Sequence, residues 1–362
     1  MLKNLKYVLL GFLVSICLAF SILRETKNND ITLGAYYFDG WTGAYPNHIT
    51  KKLVDSFSLR EPKWGWLTSS QQIVNEQIDE ASNAGLSFFS FCWYMNSSKK
   101  PSEEPLNNAL KYFRNSPNKN KLKYCIMVAN HQGYEIDKND WNLVSKEWLE
   151  LFSDKSYLKV NEKPLLIFFS INSLITKFGS TENVKSALDS LRYAAVNSGL
   201  RGISFAVCIN PSKTNIQKAE SCGFDILTGY NYHSAGFRGN KMKIPIDSLI
   251  FAERKVWDSF NSLSKLNYIP VSTLNWDPRP WANTYNNYAK EPYYVGFSPE
   301  SVFRSVKNCV SWIKENTRNA TKEKIAILYA WNENGEGAWL TPGKNGFNPS
   351  KRLKKALSTS IK

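Results

Sequence analysis

After residue 30, the chain alternates between short apolar runs and segments with helical spacing. Eight apolar runs occur: "ITLGAYYF", "LSFFSFCWY", "KYCIMVA", "PLLIFFSI", "GISFAVCI", "FDILTGYNY", "YIPVSTLNW" and "KIAILYAW". Between two of them, "PESVFRSVKNCVSWIKENT" repeats apolar positions at intervals of three and four, which predicts an amphipathic helix. Runs that are apolar on both faces and separated by helices are typical of parallel strands joined by crossover helices.

Eight such strand and helix units predict a single α/β domain, a (β/α)8 barrel over residues 31–362. An open, doubly wound sheet is the alternative. That fold usually carries a glycine-rich turn after its first strand, whereas the corresponding segment here, "DGWTGAYP", lacks the dinucleotide-binding spacing. The sequence shows neither an internal repeat nor a linker after residue 30, so one domain is expected.

The first 30 residues have a different pattern. Two lysines precede an uncharged apolar run over residues 7–23, which predicts a secretory signal. The run is long enough for an uncleaved membrane anchor, and Cys17 offers lipidation as a third possibility. We therefore expect residues 1–23 to be a signal peptide or anchor and residues 24–30 to be a short linker. The protein is expected to be secreted, periplasmic or membrane-anchored through this segment alone.

The formal net charge is +15, which admits nucleic acid, an anionic membrane or an anionic glycan as partners. The chain has no nucleic-acid-binding motif, and export argues against a nucleic-acid partner. A solvated basic surface and an anionic glycan substrate stay open. The six cysteines show neither C-x-x-C nor zinc spacing, so no disulfide framework is expected. Cys92, Cys125 and Cys208 lie in apolar runs, where a thiol is usually a small core residue.

Barrel enzymes carry their chemistry on the loops after the strands. The predicted strand ends bring together aromatic and polar side chains. Aromatic faces stack on the C–H faces of sugars, while amides, carboxylates, guanidinium and imidazole groups hydrogen-bond hydroxyls. The pattern predicts a carbohydrate-binding cleft, and its candidate substrate-binding residues are Tyr36, Tyr37, Asp39, Trp93, Tyr94, Asn130, His131, Tyr230, Tyr232, His233, Trp276, Asp277, Arg279, Trp331 and Asn332.

Several of these residues also have structural interpretations. The tryptophans could be core packing, and Asp277 with Arg279 an ordinary ion pair. His131 and Glu135 have the spacing of metal ligands on a helix, but Gly133 lies between them and no third ligand is placed nearby. We therefore expect no metal, and carboxylate catalysis requires no cofactor.

Two glutamates, Glu333 and Glu336, follow the eighth run within "YAWNENGEGAWLTP". Glycoside hydrolysis needs one carboxylic acid to protonate the leaving oxygen and a second carboxylate that acts at the sugar. In an extended chain, residues three apart point to opposite faces, but Gly335 and Gly337 permit a bend that brings both onto the rim. Two solvated loop glutamates are the alternative.

These segments resemble a known family. "WNENGEG" resembles the W-N-E-W-x-E-G motif of glycoside hydrolase family 99 and of the related WbsX-type proteins, often labelled glycosyltransferases. "AYYFDGW", "AGLSFFSFCWY", "VANH" and "NWDPR" resemble further segments of these proteins in the same order, over residues of about 31 to 343.

The resemblance implies a (β/α)8 barrel and a retaining glycosidase. It implies that Glu336 is the general acid/base and that Glu333 assists attack of the 2-hydroxyl on the anomeric carbon, through an anhydro-sugar intermediate. Characterised family 99 members are endo-acting α-mannosidases. Here Asn334 and Gly335 stand between the glutamates, His131 stands where relatives often have Glu, and Pro278 interrupts the W-D-N run. Cleavage of a glycosidic bond is implied, but mannose specificity is not.

The two glutamates are expected to differ in pKa. The acid, Glu336, should have its pKa raised by burial or by a nearby negative charge. We expect Glu333 to supply that charge and to stay ionised.

A second function is open, namely a WbsX-type glycosyltransferase or a non-hydrolytic glycan-binding protein of surface-polysaccharide metabolism. The sequence has no D-x-D motif for a nucleotide sugar, and nucleotide sugars are chiefly cytosolic in bacteria, so the hydrolase is favoured.

Overall fold

Each of the eight apolar runs contributes a parallel strand to one barrel. The computed structural model describes residues 31–45, 47–96, 100–282 and 288–358, so the predicted signal segment lies outside the described residues. In chain order, the barrel strands in these ranges are β1 (Thr32–Tyr37), β2 (Phe88–Trp93), β3 (Lys123–Val128), β4 (Lys163–Phe168), β5 (Ser204–Cys208), β6 (Ile226–Thr228), β7 (in two pieces, Asn267–Tyr268 and Val271–Thr273) and β8 (Ile325–Tyr329).

The barrel closes through β1, which pairs in parallel with both β2 and β8. Strand β7 completes the circle in two pieces, because its first piece pairs with β6 and its second with β8. Between the pieces, the Ile269 N–H donates to the carbonyl of Leu227 at 3.0 Å, and the Ile327 N–H donates to the carbonyl of Pro270 at 3.1 Å. The sheet is therefore the predicted (β/α)8 barrel and not an open doubly wound sheet.

Helices surround the barrel. Within the described ranges they are α1 (Lys51–Ser56), α2 (Gln71–Ala84), α3 (Asn108–Asn115), α4 (Trp141–Phe152), α5 (Ile171–Phe178), α6 (Thr181–Asn197), α7 (Lys213–Ser221), α8 (Ile246–Leu263), α9 (Pro299–Glu315) and α10 (Leu353–Ser358). Among the residues described, no helix combines the length and apolar character needed to cross a membrane. Two short extensions lie outside the barrel: Lys159–Val160 pairs antiparallel with β4, and Lys243–Pro245 pairs with Tyr293–Val295.

Helix α9 shows how the sequence specifies these elements. Its N-terminus has a capping box, in which the Ser301 N–H donates to Ser298 Oγ at 3.2 Å and the Ser298 N–H donates to Ser301 Oγ at 2.9 Å. The positions repeated at intervals of three and four form its buried face, and they are Val302, Ser305, Val306, Cys309, Val310 and Ile313. The predicted amphipathic helix is confirmed.

Alternate side chains of each strand enter the barrel. On β1, Gly34 and Tyr36 share the inner face. A Cβ atom at Gly34 would lie 2.3 Å from the ring of Phe88, so glycine leaves the space that this ring fills. The Tyr36 hydroxyl donates to the carbonyl of Gly229 across the barrel at 2.7 Å.

The cysteines found in the described residues are free and buried, and they are Cys92, Cys125, Cys208, Cys222 and Cys309. The three cysteines expected as core residues are therefore confirmed as such.

Glu253 of α8 is a buried carboxylate between this helix and β7. It accepts hydrogen bonds from the Thr273 N–H and from Ser272 Oγ, the latter at 3.2 Å. Burial raises the pKa of Glu253 from 4.5 to about 8. The folded state therefore binds a proton that the unfolded chain releases. This contribution to stability is complete below about pH 4.5 and is lost as the pH rises through about 8.

We expect Glu253→Gln to reduce this pH dependence, because glutamine has no proton to lose. The slope lost should approach about 1.4 kcal/mol per pH unit in the free energy of unfolding. Urea unfolding between pH 5 and 9 measures it, with the exposed Glu103→Gln as the matched control. Equal slopes in the wild type and the Glu253 variant would contradict the assignment.

Candidate active site

The two glutamates lie on a tight hairpin that follows β8. Residues Asn332–Glu333 pair antiparallel with Ala338–Trp339, and residues 334–337 form the turn. The Gly337 N–H donates to the carbonyl of Asn334 at 3.3 Å, and Gly337 has a φ of 79°, a left-handed conformation that favours glycine. The predicted bend between the glutamates is confirmed.

Gly335 is required for a different reason. A Cβ atom at this position would lie 1.9 Å from the ring of Trp281. Trp281 is buried in an aromatic and aliphatic cluster with Trp41 and Leu53. The turn therefore lies directly against a tryptophan that comes from the loop after β7. An alanine at position 335 would force this ring or the turn to move.

Buried Arg60 fixes the backbone of the turn. Its Nη1 donates to the carbonyls of Asn334 and Gly335 at 3.1 and 3.2 Å, and the Asn334 side-chain amide donates back to the carbonyl of Arg60 at 2.7 Å. The guanidinium also forms an ion pair with the buried carboxylate of Asp277. The Asp277 N–H in turn donates to the carbonyl of Glu336 at 2.7 Å. Arg60 and Asp277 thus hold both sides of the turn that carries Glu336.

Glu333 is buried at the inner end of the hairpin and accepts a hydrogen bond from the Tyr230 hydroxyl at 2.5 Å. Burial raises the pKa of Glu333 to about 7, and the hydrogen bond from Tyr230 opposes this rise. The expectation that Glu333 stays ionised therefore holds near neutral pH for only part of the molecules. Its site is too desolvated for an ordinary carboxylate pKa.

Glu336 is partly exposed and accepts a hydrogen bond from the Tyr329 hydroxyl. Its pKa is raised to about 8, first by burial and then by the negative charge of Glu291. The expected direction is confirmed, but the expected source of charge is not, because Glu291 and not Glu333 is the carboxylate that raises this pKa.

Tyrosines connect the two carboxylates. The rings of Tyr230 and Tyr329 lie 4.9 Å apart in an edge-to-face arrangement, and each hydroxyl donates to one of the glutamates. Tyr36 packs beneath them, 5.0 Å from Tyr230. The floor of the site is thus a layer of tyrosines in the mouth of the barrel.

His233 and Trp276 form one wall beside Glu291. Their rings stack at 4.1 Å with an interplanar angle of 21°, and His233 Nε2 lies 3.5 Å from Glu291 Oε1. Burial lowers the pKa of His233 to about 4, so the imidazole is neutral at neutral pH. This wall offers an aromatic surface and polar groups beside the carboxylate that influences Glu336.

Tyr94 and His131 pack edge to face, with ring centroids 5.9 Å apart. The pKa of Tyr94 is raised well above its ordinary value, mainly by burial and then by charges that include Glu333 and Glu336. Burial also lowers the pKa of His131. These two predicted residues are therefore near the glutamates.

Four predicted aromatic residues do not reach the site, and they are Tyr37, Trp93, Tyr232 and Trp331. Tyr37 and Trp93 are strand residues on the outer face of the barrel, because successive side chains of a strand point to opposite faces. Tyr232 and Trp331 lie just after strands and are also buried outside the barrel. Trp93 packs on Trp148 of α4 at 5.5 Å, and Trp331 Nε1 donates to Gln77 of α2 at 2.7 Å.

The two tyrosines of this group are equally remote. The ring of Tyr37 packs against Phe89 and Phe91 at 5.2 and 4.9 Å, and the Tyr232 hydroxyl lies 3.1 Å from that of Tyr268. The predicted contact of all four residues with substrate is corrected to core packing.

Three predicted polar residues join loops together. Asp39 accepts from the Ala109 N–H at 2.6 Å, Asn130 exchanges hydrogen bonds with the backbone of Ser170 at 2.7 and 2.9 Å, and Asn332 does the same with Phe38. The side chains of Asn130 and Asn332 thus hold loop backbones in place. Asp39 Oδ1, in contrast, is buried without a hydrogen-bond partner in the described residues, and contact of Asp39 with substrate stays a prediction.

Asp277 and Arg279 form the ion pair that the sequence allowed. Arg279 Nε and Nη2 both donate to the Asp277 carboxylate at 2.7 Å, and the guanidinium lies 3.7 Å from the ring centroid of Tyr293. Because Asp277 also binds Arg60, its carboxylate links two arginines beside the hairpin.

Sequence reasoning missed Tyr329, Arg60 and Glu291. Tyr329 is the last residue of β8 and the first residue of "YAWNENGEGAWLTP", so its place at a strand end was a usable signal. Arg60 and Glu291 lie in irregular segments that no periodicity connects to the hairpin.

Comparison with known proteins agrees with this architecture. The profile of the family described as "Glycosyltransferase WbsX" matches residues 66–348, which is most of the chain. No curated protein sequence matches this chain. A solved structure described as a glycoside hydrolase-like protein is 14% identical, with a TM-score of 0.63, and the match covers 92% of this chain and 95% of that one.

A second solved structure is the family 99 endo-α-mannosidase from Bacteroides thetaiotaomicron. It is 13% identical, with a TM-score of 0.59, and the match covers 90% of this chain and 95% of that one. At identities this low, the similarity supports only the fold. It agrees with the barrel that the strand pairing shows.

Proposed function

This chain belongs to the WbsX family, and we propose that it is a glycoside hydrolase that cleaves a glycan with Glu336 and Glu333. The observation that carries the proposal is the hairpin after β8. It places two carboxylates with raised and unequal pKa values at the mouth of the barrel, each bound by a tyrosine hydroxyl. Carboxylate pairs whose environments separate their pKa values are typical of glycosidases.

The resemblance to family 99 suggests the two roles, and the raised pKa values are compatible with them. With a pKa of about 8, Glu336 carries a proton near neutral pH and is suited to protonate the leaving oxygen. Glu333, at about 7, is ionised in a larger fraction of molecules and is suited to act at the sugar. The resemblance to family 99 supports a retaining course in which Glu333 assists the 2-hydroxyl. The neighbouring Tyr230 then keeps Glu333 oriented through its hydrogen bond.

The description of the family as glycosyltransferases makes transfer the second candidate. The test is incubation of the purified protein with a panel of α-linked glycans, read by the release of reducing ends, with the Glu333→Gln/Glu336→Gln double variant as control. Release by the wild type alone supports hydrolysis. Transfer from a nucleotide sugar without such release would replace the hydrolase with the transferase.

The activity should have a narrow pH optimum. We expect kcat/KM to rise through about pH 7 as Glu333 loses its proton, and to fall through about pH 8 as Glu336 loses its own. Glu291→Gln removes the charge that raises the pKa of Glu336, so its basic limb should move to lower pH while the acidic limb stays. A basic limb unchanged in this variant would contradict the role of Glu291.

If the excess of Lys and Arg is gathered around the cleft, the substrate is an anionic glycan, a hypothesis that rests on the net charge of +15. Capture of an anionic substrate by a basic protein is screened by salt. We therefore expect kcat/KM on such a glycan to fall between low and moderate salt, whereas a neutral glycan of similar length should show little change. If kcat/KM on both glycans were independent of salt, the positive charge would be a solvated surface with no role in substrate capture.

We also propose that the protein acts after export. The support is the sequence of residues 1–23, whose basic start and uncharged apolar run are typical of a signal peptide or anchor. Fractionation of cells that express the full chain tests this proposal, and recovery in the cytosol alone would contradict it.

A further inference from the structure

We propose that a groove beside the glutamate hairpin binds neutral sugar units of the glycan, a proposal that rests on the proposed glycoside hydrolase function. The tryptophan groove is lined by Asn47, Ile49, Trp64, Trp66 and Leu67 together with two glycines, and its volume is about 490 Å³. This size is within the range of small-molecule sites.

The tryptophan groove lies on the same rim as the carboxylates. It is built by the connection between β1 and α2, which begins at the C-terminal end of a barrel strand. This connection is joined to the segment after the hairpin, because Pro62 forms a β-bridge with Gly343 and the Lys63 N–H donates to the carbonyl of Pro342 at 2.8 Å.

Trp41 connects the groove with the site. Its ring lies 6.1 Å from that of Trp66, and its Nε1 donates to the carbonyl of Asn332, the residue before Glu333, at 2.9 Å. Trp41 also belongs to the cluster of Trp281, the ring that touches the turn at Gly335. The buried ring of Trp41 therefore couples the tryptophan groove to the backbone of the hairpin.

Both groove tryptophans are held in place and are partly exposed. Trp64 Nε1 donates to Glu76 Oε2 at 2.7 Å, and the ammonium of Lys63 lies 4.8 Å from the centroid of its ring. Trp66 is fixed by its contact with Trp41. Rigid aromatic surfaces bind at low entropic cost because little side-chain freedom is lost.

The lining favours neutral sugars. Among the described residues, the lining contains no charged side chain, and it combines apolar faces with the amide of Asn47. The nearby ammonium of Lys63 is already paired with Glu80. Such a surface matches the C–H faces and hydroxyls of a neutral sugar but offers no free cation to a carboxylate or sulfate.

The experiment measures binding without cleavage. The Glu336→Gln variant is run toward the cathode in native gels that contain a polysaccharide, and binding is read as retardation. The neutral polysaccharides are yeast mannan, dextran, pullulan and galactomannan, and alginate is the anionic comparison. We expect retardation by at least one neutral polysaccharide. Trp66→Ala should weaken it about tenfold, the scale for the loss of an aromatic anchor. Tyr193→Ala, which removes a ring 70% exposed on α6, should leave it unchanged.

Two milder variants, Trp66→Phe and Asn47→Ala, are included in case Trp66→Ala misfolds. Circular dichroism and the melting temperature show whether each variant is folded. Both should bind more weakly than the parent. The proposal is overturned if these variants bind like the Tyr193→Ala control, if no neutral polysaccharide retards the parent, or if alginate alone does. If binding depends on Trp66 but the wild type releases no reducing ends, the groove proposal is supported and the proposed hydrolase function is contradicted.

Discussion

Glu336→Gln is expected to lower kcat/KM on a glycan with a poor leaving group by about 10²–10⁴-fold, the usual contribution of a general acid. Glutamine keeps the shape of the side chain and can still accept the hydrogen bond that the Tyr329 hydroxyl donates. The variant therefore removes the proton and leaves the local structure in place. Initial rates of reducing-end release, measured at the pH optimum of the wild type, give the ratio.

An aryl glycoside with an acidic phenol separates the acid role from general damage. Its leaving group needs little protonation, so the first chemical step should be much less affected than with the glycan. Glu103→Gln, an exposed carboxylate in the loop after β2, is the matched control and should retain full activity on both. Near-normal turnover of the glycan by the Glu336 variant would instead support the interpretation of the motif as two solvated loop glutamates.

The barrel could be predicted because each strand is apolar on both faces and each is followed by helical spacing. Which residue of an adjacent pair enters the site could not be decided in the same way. Tyr36 and Tyr37 are alternatives in a strand, since one must face inward and the other outward. The inward side of β1 is set by its register against β2, where Gly34 opposes Phe88, and a single sequence does not give that register.

The supports of the site were harder to predict than its glutamates. Glu333 and Glu336 share one short motif, whereas Arg60, which binds the turn between them, lies 274 residues before Asn334 in the chain. Burial raises the pKa of both glutamates. The charge that raises the pKa of Glu336 further belongs to Glu291, which only the fold of the loop after β7 brings near.

Glu333→Gln should slow the glycan and the aryl glycoside alike, by about 10²–10⁴-fold if its loss removes base assistance at the sugar. The reason is that its proposed role concerns the 2-hydroxyl and the anomeric carbon, which both substrates share. The acidic limb of the pH profile should disappear as well, since that limb is assigned to the Glu333 carboxylate. Rates on both substrates between pH 5 and 9 measure the two effects together.

Tyr230→Phe gives the sharper test of this assignment, because it keeps the Glu333 carboxylate and removes only the hydrogen bond that Tyr230 donates. That bond lowers the pKa of Glu333, so its loss should move the acidic limb to higher pH. Glu333→Gln abolishes the limb, whereas Tyr230→Phe displaces it, and no loss of folding mimics both. If the aryl glycoside were spared in Glu333→Gln and the limb stayed near pH 7, another carboxylate would have to act at the sugar. Glu291, whose charge raises the pKa of Glu336, would be the candidate to test.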